Sequence, residues 1–311
     1  MIYDLIILGA GPAGSSGAVY ASRKRLKTLL ITESFGGQSI DSSDIQNWIG
    51  TVSISGLDLA KSLEEHVKAY ADDVLEIKSG YRVEKVTDNQ DGTFTVTLEG
   101  SDETFMTKSV LFTLGSVRRK LPAKGAAELE HKGLTYCASC DGPIFTGKDV
   151  AVIGGGNAAF ETAAQLLAYT KSVTLFNRSD SFRADEVTVE KVLQNEKITA
   201  LTNVDILEVL GDKVVEGIKY KDNSTGEEKE LKVEGIFVEI GQIPNTASVQ
   251  GLVDIDEYGK IKIDHRSQRT SKPGIWAAGD CTNILYHQNN IAAGDAVKAL
   301  EDIYFYIHTG K

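Results

Sequence analysis

At several points along this chain apolar residues come in short unbroken runs instead of alternating with polar ones. Residues 3–8, Tyr-Asp-Leu-Ile-Ile-Leu, predict a strand buried on both faces. A glycine cluster follows, and residues 13–22 predict a helix of small side chains. Lys27 to Thr32 predicts a second buried strand that closes at Glu33. The same succession recurs later, with a strand at Val150 to Ile153, helical spacing over 157–169 and a strand from Ser172 to Phe176. Two βαβ units this far apart indicate a duplicated α/β architecture, not a short-period repeat. Alternating segments lie elsewhere. Tyr81 to Thr87 and Thr93 to Leu98 flank the turn-forming residues 88–92, and Lys213 to Tyr220 and Glu230 to Val238 flank residues 222–226. Each pair predicts an antiparallel hairpin or meander. The five prolines (12, 122, 143, 244 and 273) fall in predicted loops or helix starts.

Composition narrows the class. The 311 residues can bury two ordinary cores, and 41% hydrophobic with 25% charged residues is the globular range. A net charge of −11 argues against nucleic acid as a partner, since backbone binding needs clustered cations. Arg118-Arg119-Lys120 is a basic cluster that reads as a solvated turn. No apolar run approaches the ~20 residues of a membrane span. The start of the chain lacks the charged region of a signal peptide, so a cytoplasmic protein without a membrane partner is expected.

Three cysteines are too few for a disulfide framework. A Cys-x-x-Cys pair in a reducing compartment is more often catalytic or metal-binding than structural. Zinc wants four ligands, usually from two paired motifs. Only Cys281 and the scattered His66, His131, His265, His287 and His308 could complete a site, so no metal is expected. For Cys281 itself, a buried and unreactive thiol is the default.

The chemistry lies in three motifs. Gly9-Ala10-Gly11-Pro12-Ala13-Gly14 sits between a predicted strand and helix, with Glu33 at the end of the next strand. This is the dinucleotide fingerprint: glycines allow a tight turn and close approach to a pyrophosphate, the helix N-terminus receives the phosphates, and the acid meets a ribose. Gly154-Gly155-Gly156-Asn157-Ala158-Ala159 repeats it, with the accepted alanine in third place. Beyond the second unit's strand lie Arg178 and Arg183, where a 2′-phosphate favours arginine, and Asp180, which weighs against it. Between the fingerprints is Cys137-Ala138-Ser139-Cys140-Asp141-Gly142. Such a pair can lower one thiol's pKa, and Asp141 is a candidate general acid or base if partial burial raises its own. Asp141-Gly142-Pro143 also reads as a turn that stops a helix.

With these motifs in this order, the chain resembles the low-molecular-weight thioredoxin reductases over nearly its whole length. It is also similar to the flavin subunit of alkyl hydroperoxide reductase. The matching stretches are Gly9 to Gly14, Gly36-Gly37-Gln38, Thr113-Leu114-Gly115, Cys137 to Gly142, Gly154 to Ala159, Gly279-Asp280 and His287-Gln288. The resemblance implies two Rossmann-like three-layer nucleotide-binding domains, the second inserted into the first. It implies an FAD domain over 1–116 and 245–311, and an NAD(P)H domain carrying the dithiol over 117–244. FAD would occupy Gly9, Gly11, Pro12, Ala13 and Gly14 with its adenosine toward Glu33. Gly37, Gln38, Asn47, Thr113, Gly115, Gly279, Asp280, His287 and Gln288 would line the rest of it. NADPH, or NADH, would occupy Gly154, Gly156, Asn157, Ala158, Arg178 and Arg183. Cys140 would face the flavin, Cys137 would attack the partner's disulfide, and Asp141 would be the acid–base residue. A homodimer and a rotating NAD(P)H domain are further implications.

Several positions depart from the family pattern. Asn177-Arg178-Ser179 stands where NADPH-using members commonly carry His-Arg-Arg, and His287 stands where Arg or Lys is usual. A histidine there can be neutral, which would alter the flavin's potential. Gln46-Asn47-Trp48-Ile49-Gly50 lacks the usual Glu and Pro, and Asp141-Gly-Pro-Ile-Phe leans toward the hydroperoxide reductase branch. The flavin protein of that branch carries a thioredoxin-like N-terminal portion, for which this sequence has no counterpart, so electrons are expected to leave to a separate protein. The expected activity is reduction of a thioredoxin- or glutaredoxin-like protein disulfide. The alternatives are an NADH-dependent reductase of a peroxiredoxin or glutaredoxin-like partner, a flavoprotein with a non-nicotinamide donor, and a nucleotide-binding redox sensor without turnover.

Overall fold

The computed structural model describes residues 1–42, 44–71 and 73–310. It divides into two compact units, Met1–Val117 with Ile243–Lys311, and Arg118–Gln242. Both are α/β, as the sequence pattern predicts, and the second is inserted into the first.

The discontinuous unit is built on a five-stranded parallel sheet in the order Ile275–Ala277, Val110–Phe112, Leu5–Ala10, Thr28–Phe35, Leu75–Ser79. Leu5–Ala10 is central, which explains its unbroken apolar run: Leu5 and Ile7 enter one core, Ile6 and Leu8 the other, and all four are fully buried. Each such side chain contributes about 1.5–3 kcal/mol by leaving water. Helix Pro12–Arg23 packs on this sheet through Ala18 and Ala21, in one core with Ala296, Ala299 and Leu300 of the terminal helix Asn289–Thr309. Small residues are needed here because the helix lies between sheet and helix. Even a methyl at Gly17 would meet Leu111 at 3.1 Å and Leu300 at 3.3 Å.

The inserted unit has its own parallel sheet in the order Leu134–Thr135, Gly235–Val238, Asp149–Ile153, Ser172–Phe176, Ile198–Leu201. Val150 and Val152 enter one core while Ala151 and Ile153 enter the other. The second fingerprint's helix is Asn157–Leu166, three residues shorter than its spacing predicts.

Three element expectations need correction. The strand predicted over 3–8 is two strands: Ile2–Tyr3 pairs with Thr104–Thr107 in a separate four-stranded sheet, and Leu5–Ala10 begins after a bend at Asp4. Asp4 Oδ2 accepts from the Lys27 amide at 3.0 Å, a local bond that turns the chain between sheets. The segment predicted over 230–238 is likewise two strands. Glu228–Lys232 pairs antiparallel with Gly217–Asp222, whereas Gly235–Val238 joins the parallel sheet; residues 213–216 are not strand. Finally, Pro244 ends a short strand, Gln242–Pro244, instead of lying in a loop. The Val83–Asp88 and Phe94–Leu98 hairpin pairs antiparallel and is extended by Thr104–Thr107. Among the described residues no helix is long and apolar enough to cross a membrane.

Candidate functional site

The discontinuous unit brings the first fingerprint into a cradle. Gly9 has φ +98°, and a Cβ there would stand 2.7 Å from the Thr113 carbonyl oxygen. A Cβ at Gly14 would overlap the Gly9 carbonyl oxygen, so the helix can seat itself on the turn only without a side chain. Thr113 ties the neighbouring strand to the same turn, its Oγ1 donating to the carbonyls of Leu8 (2.7 Å) and Gly9 (2.9 Å). Pro12 occupies the first helical turn, where its missing N–H costs nothing. Gly11 precedes it as the cap without a side-chain hydrogen bond, leaving the helix's first N–H groups for an anion. Gly37 faces Gly11, and Ala13 faces Gly279, each at van der Waals distance from an added Cβ. These residues fit a dinucleotide pyrophosphate, because Gly9 and Gly14 have no room for a side chain and the helix that follows Gly11 starts without a side-chain cap.

Around this cradle, Gln38 Nε2 donates to the Ser116 carbonyl, and Asn47 Nδ2 donates to Gln288 Oε1 at 3.0 Å. Gly115 has φ +64° and its carbonyl accepts from the Asn245 amide at 3.0 Å. His287 Nδ1 lies 3.3 Å from Asp280 Oδ1, and its Nε2 lies 2.9 Å from Lys260 Nζ. An ammonium can only donate, so Nε2 is the nitrogen that accepts from Lys260. A cation is therefore present beside His287 after all, supplied by Lys260 from 27 residues away. Glu33 is engaged as well: Arg82 grips both its oxygens, at 2.8 and 2.9 Å. Both side chains are exposed, so the pair leaves Glu33 accessible and adds little to stability. Sequence order gave no hint of either Lys260 or Arg82, since neither lies in a motif.

The inserted unit holds the second cradle and the cysteines. Gly154 has φ +147°, and a Cβ there would overlap the Glu239 carbonyl oxygen. One at Gly155 would overlap Asn177 Oδ1, whereas Gly156 has open space and caps its helix without a side-chain bond. Asn157 and Ala158 begin that helix, exposed, and Asn157 Oδ1 accepts from the Asp185 amide at 2.8 Å. Asn177 is a loop clamp: buried, its Nδ2 donates to the carbonyls of Ser179 (3.0 Å) and Ser181 (2.8 Å). This shapes the loop that carries Arg178 and Arg183, both exposed. Arg183 is further fixed by its amide, which donates to the Gly155 carbonyl at 2.8 Å. The open helix start and the two guanidinium groups fit an anionic dinucleotide.

Cys137 and Cys140 form a disulfide and are both half-buried. Cys137 caps the four-residue helix Ala138–Asp141, and the Cys140 amide donates to Cys137 Sγ at 3.2 Å. Asp141 accepts from Thr135 Oγ1, and its amide donates to the Cys137 carbonyl at 3.0 Å. Helix Asn157–Leu166 and the turn after it brace the dithiol turn: Ser139 Oγ donates to Gln165 Oε1 at 3.1 Å, and a Cβ at Gly142 would overlap the Tyr169 hydroxyl. Burial raises the Tyr169 phenol above its ordinary range. Cys281, by contrast, is fully buried and burial pushes its thiol up to about 12, which makes it inert. Among the described residues no cluster of His, Cys, Asp and Glu could hold a metal ion.

A family model described as pyridine nucleotide-disulphide oxidoreductase matches residues 3–296. The chain is 39% identical over 305 residues to an NADH dehydrogenase of Bacillus subtilis (strain 168), covering 98% of this chain and 58% of that protein. It is 40% identical over 298 residues to an alkyl hydroperoxide reductase subunit of Pseudomonas putida, covering 96% of this chain and 56% of that protein. It thus spans a little over half the length of these relatives. Among solved structures, thioredoxin reductase from Giardia duodenalis superposes with a TM-score of 0.92 at 31% identity, covering 99% of each chain.

Proposed function

Because the chain belongs to the pyridine nucleotide-disulphide oxidoreductase family, we propose that it moves electrons from NAD(P)H through FAD and the Cys137–Cys140 pair to a thioredoxin-like protein disulfide. The observation that carries this reading is the half-buried disulfide whose Cys137 sulfur already accepts an N–H from Cys140. When bound, the flavin and the nicotinamide supply the two-electron chemistry. Gly9, Gly11, Pro12, Ala13 and Gly14 would hold the FAD pyrophosphate and Glu33 its ribose. Gly37, Gln38, Asn47, Thr113, Gly115, Gly279, Asp280, His287 and Gln288 would line the remainder, with Lys260 supplying the charge behind His287. Gly154, Gly156, Asn157 and Ala158 would receive the nicotinamide dinucleotide's phosphates. Arg178 and Arg183 support NADPH, as exposed guanidinium groups suited to a 2′-phosphate; similarity to a protein named NADH dehydrogenase supports NADH as a second donor.

In the partner half-reaction the Cys137 thiolate attacks one partner sulfur and forms a mixed disulfide, and the other partner sulfur leaves as a thiolate. Cys140 then attacks Cys137 Sγ, re-forming the intramolecular disulfide and releasing the reduced partner. Asp141 would hold or deliver the proton that a departing thiolate requires. Similarity to the alkyl hydroperoxide reductase of Pseudomonas putida supports a second reading, in which the partner belongs to a peroxide-reducing system. Cys137→Ser tests both. Partner reduction is expected to fall at least 10³-fold, on the order of the loss of a catalytic nucleophile, while nicotinamide still bleaches the flavin. Retained turnover with thioredoxin-, glutaredoxin- and peroxiredoxin-type partners alike would sink the assignment.

A further inference from the structure

Strand order dictates where a dinucleotide lies on a parallel sheet. In the inserted unit the chain leaves Asp149–Ile153 toward Ser172–Phe176 on one side and returns on the other as Gly235–Val238. Ligands cross the carboxyl ends of the strands at such a reversal. With phosphates on the Gly154–Gly156 turn and adenosine toward Arg178, beyond Ser172–Phe176, the opposite half of a bound dinucleotide would lie over the end of Gly235–Val238. Glu239 is the residue there. Its amide donates to the Ile153 carbonyl at 2.8 Å, and its own carbonyl lies against Gly154.

The Glu239 carboxyl is only 8% exposed. Thr162 Oγ1 donates to its Oε1 at 2.9 Å, and the Arg118 guanidinium stands 3.7 Å from Oε2. Thr162 and the negative Glu161 face it from helix Asn157–Leu166, and Arg118 faces it from strand Ser116–Arg118. Burial is the dominant influence and raises the acid to about 7; Arg118 and Thr162 pull it down, and Glu161 pushes it up. Thr162 and Arg118 hold the carboxyl in place at the strand end beside the Gly154 turn.

We propose that Glu239 determines specificity for the redox state of the nicotinamide half, its carboxylate favouring the positively charged oxidised ring over the neutral reduced one. The proposal rests on the nicotinamide reading of this cradle. Glu239 transfers no atom. It supplies a negative charge in a largely buried site, where attraction to a cation is stronger than in water. Below neutral pH the carboxyl is protonated and the preference fades; above it the carboxylate forms and the preference grows.

The test is equilibrium binding to the flavin-loaded oxidised protein between pH 6 and 8. The probes are NAD+, with a cationic ring, and 1,4,5,6-tetrahydro-NAD, with a neutral ring that donates no hydride, or their 2′-phosphorylated forms if these bind better. Wild-type affinity for the cationic probe should rise about five-fold over this interval, within the usual range of coupling between sites, while the neutral probe stays level. Glu239→Gln should make both profiles flat, and Glu239→Asp should keep the slope and guard against a variant that fails to fold. Infrared titration should follow one protonated carboxyl that disappears near neutral pH in wild type and is missing in Glu239→Gln. An unchanged slope in Glu239→Gln, or equal weakening of both probes at every pH, would overturn the proposal. A wild type that binds neither series overturns the nicotinamide reading itself, and this inference with it.

Discussion

The two glycine cradles share a strand–turn–helix frame but are finished differently. In the first, Gly14 packs on the Gly9 carbonyl and Thr113 pins the turn from the neighbouring strand, so backbone and one hydroxyl close the site. In the second, Gly154 packs on the Glu239 carbonyl and Gly155 on the Asn177 side chain, so two residues with larger polar side chains enter the frame. The ends of the following strands differ too: the first carries Glu33, the second the exposed Arg178 and Arg183. The first cradle is thus closed by backbone and a hydroxyl, whereas the second has Asn177 and the Glu239 backbone against its turn. Fold and fingerprint alone would make the two sites equivalent.

The largest expected effect separates a packed glycine from an open one. Gly14→Ala forces a Cβ into the Gly9 carbonyl and should cost on the order of 3 kcal/mol or more, with loss of bound flavin. Gly156→Ala meets nothing within 4 Å and has φ −101°, so stability should change by less than about 1 kcal/mol while flavin is retained. Thermal denaturation with flavin absorbance checks both, and equal damage from the two would break the comparison.

A smaller effect concerns Glu239 and pH. Its folded pKa of about 7 lies above the unfolded value of 4.5, so the folded state binds more protons between them. Stability then falls as pH rises through that window, and the full cost is present above it. The stability advantage of Glu239→Gln over wild type should therefore grow by about 2 kcal/mol from pH 5 to pH 8. Denaturant midpoints at the two pH values measure this; an advantage that is constant or shrinking contradicts the burial assigned to the carboxyl.

What was legible in the sequence followed from local constraints. Leu5 to Leu8 and Val150 to Ile153 declare central strands because both their faces are buried, and the glycines declare turns because the backbone demands them. The run from Tyr3 to Leu8 is strand on both sides of Asp4 but not one strand, because the bond from the Lys27 amide to Asp4 turns the chain there. The end of the second meander was missed because Val233 to Val238 alternates no differently in a hairpin than on its way into a parallel sheet. In the candidate site, the cysteines and glycines were visible as spacing, but Arg82, Lys260, Tyr169 and Glu239 act through contacts made across tens of residues. Asn177 was legible only as a departure. The structure explains it as the clamp of the arginine loop.

The central claim is that electrons given by a nicotinamide reach the Cys137–Cys140 disulfide. It is tested most directly by adding NADPH, and separately NADH, to the flavin-loaded protein without oxygen, then counting thiols after rapid alkylation under denaturing conditions. The account predicts that reduction exposes one further pair of thiols per chain, confined by peptide mapping to Cys137 and Cys140, with Cys281 counted before and after alike. Flavin bleaching by both nucleotides with the disulfide left intact would contradict it.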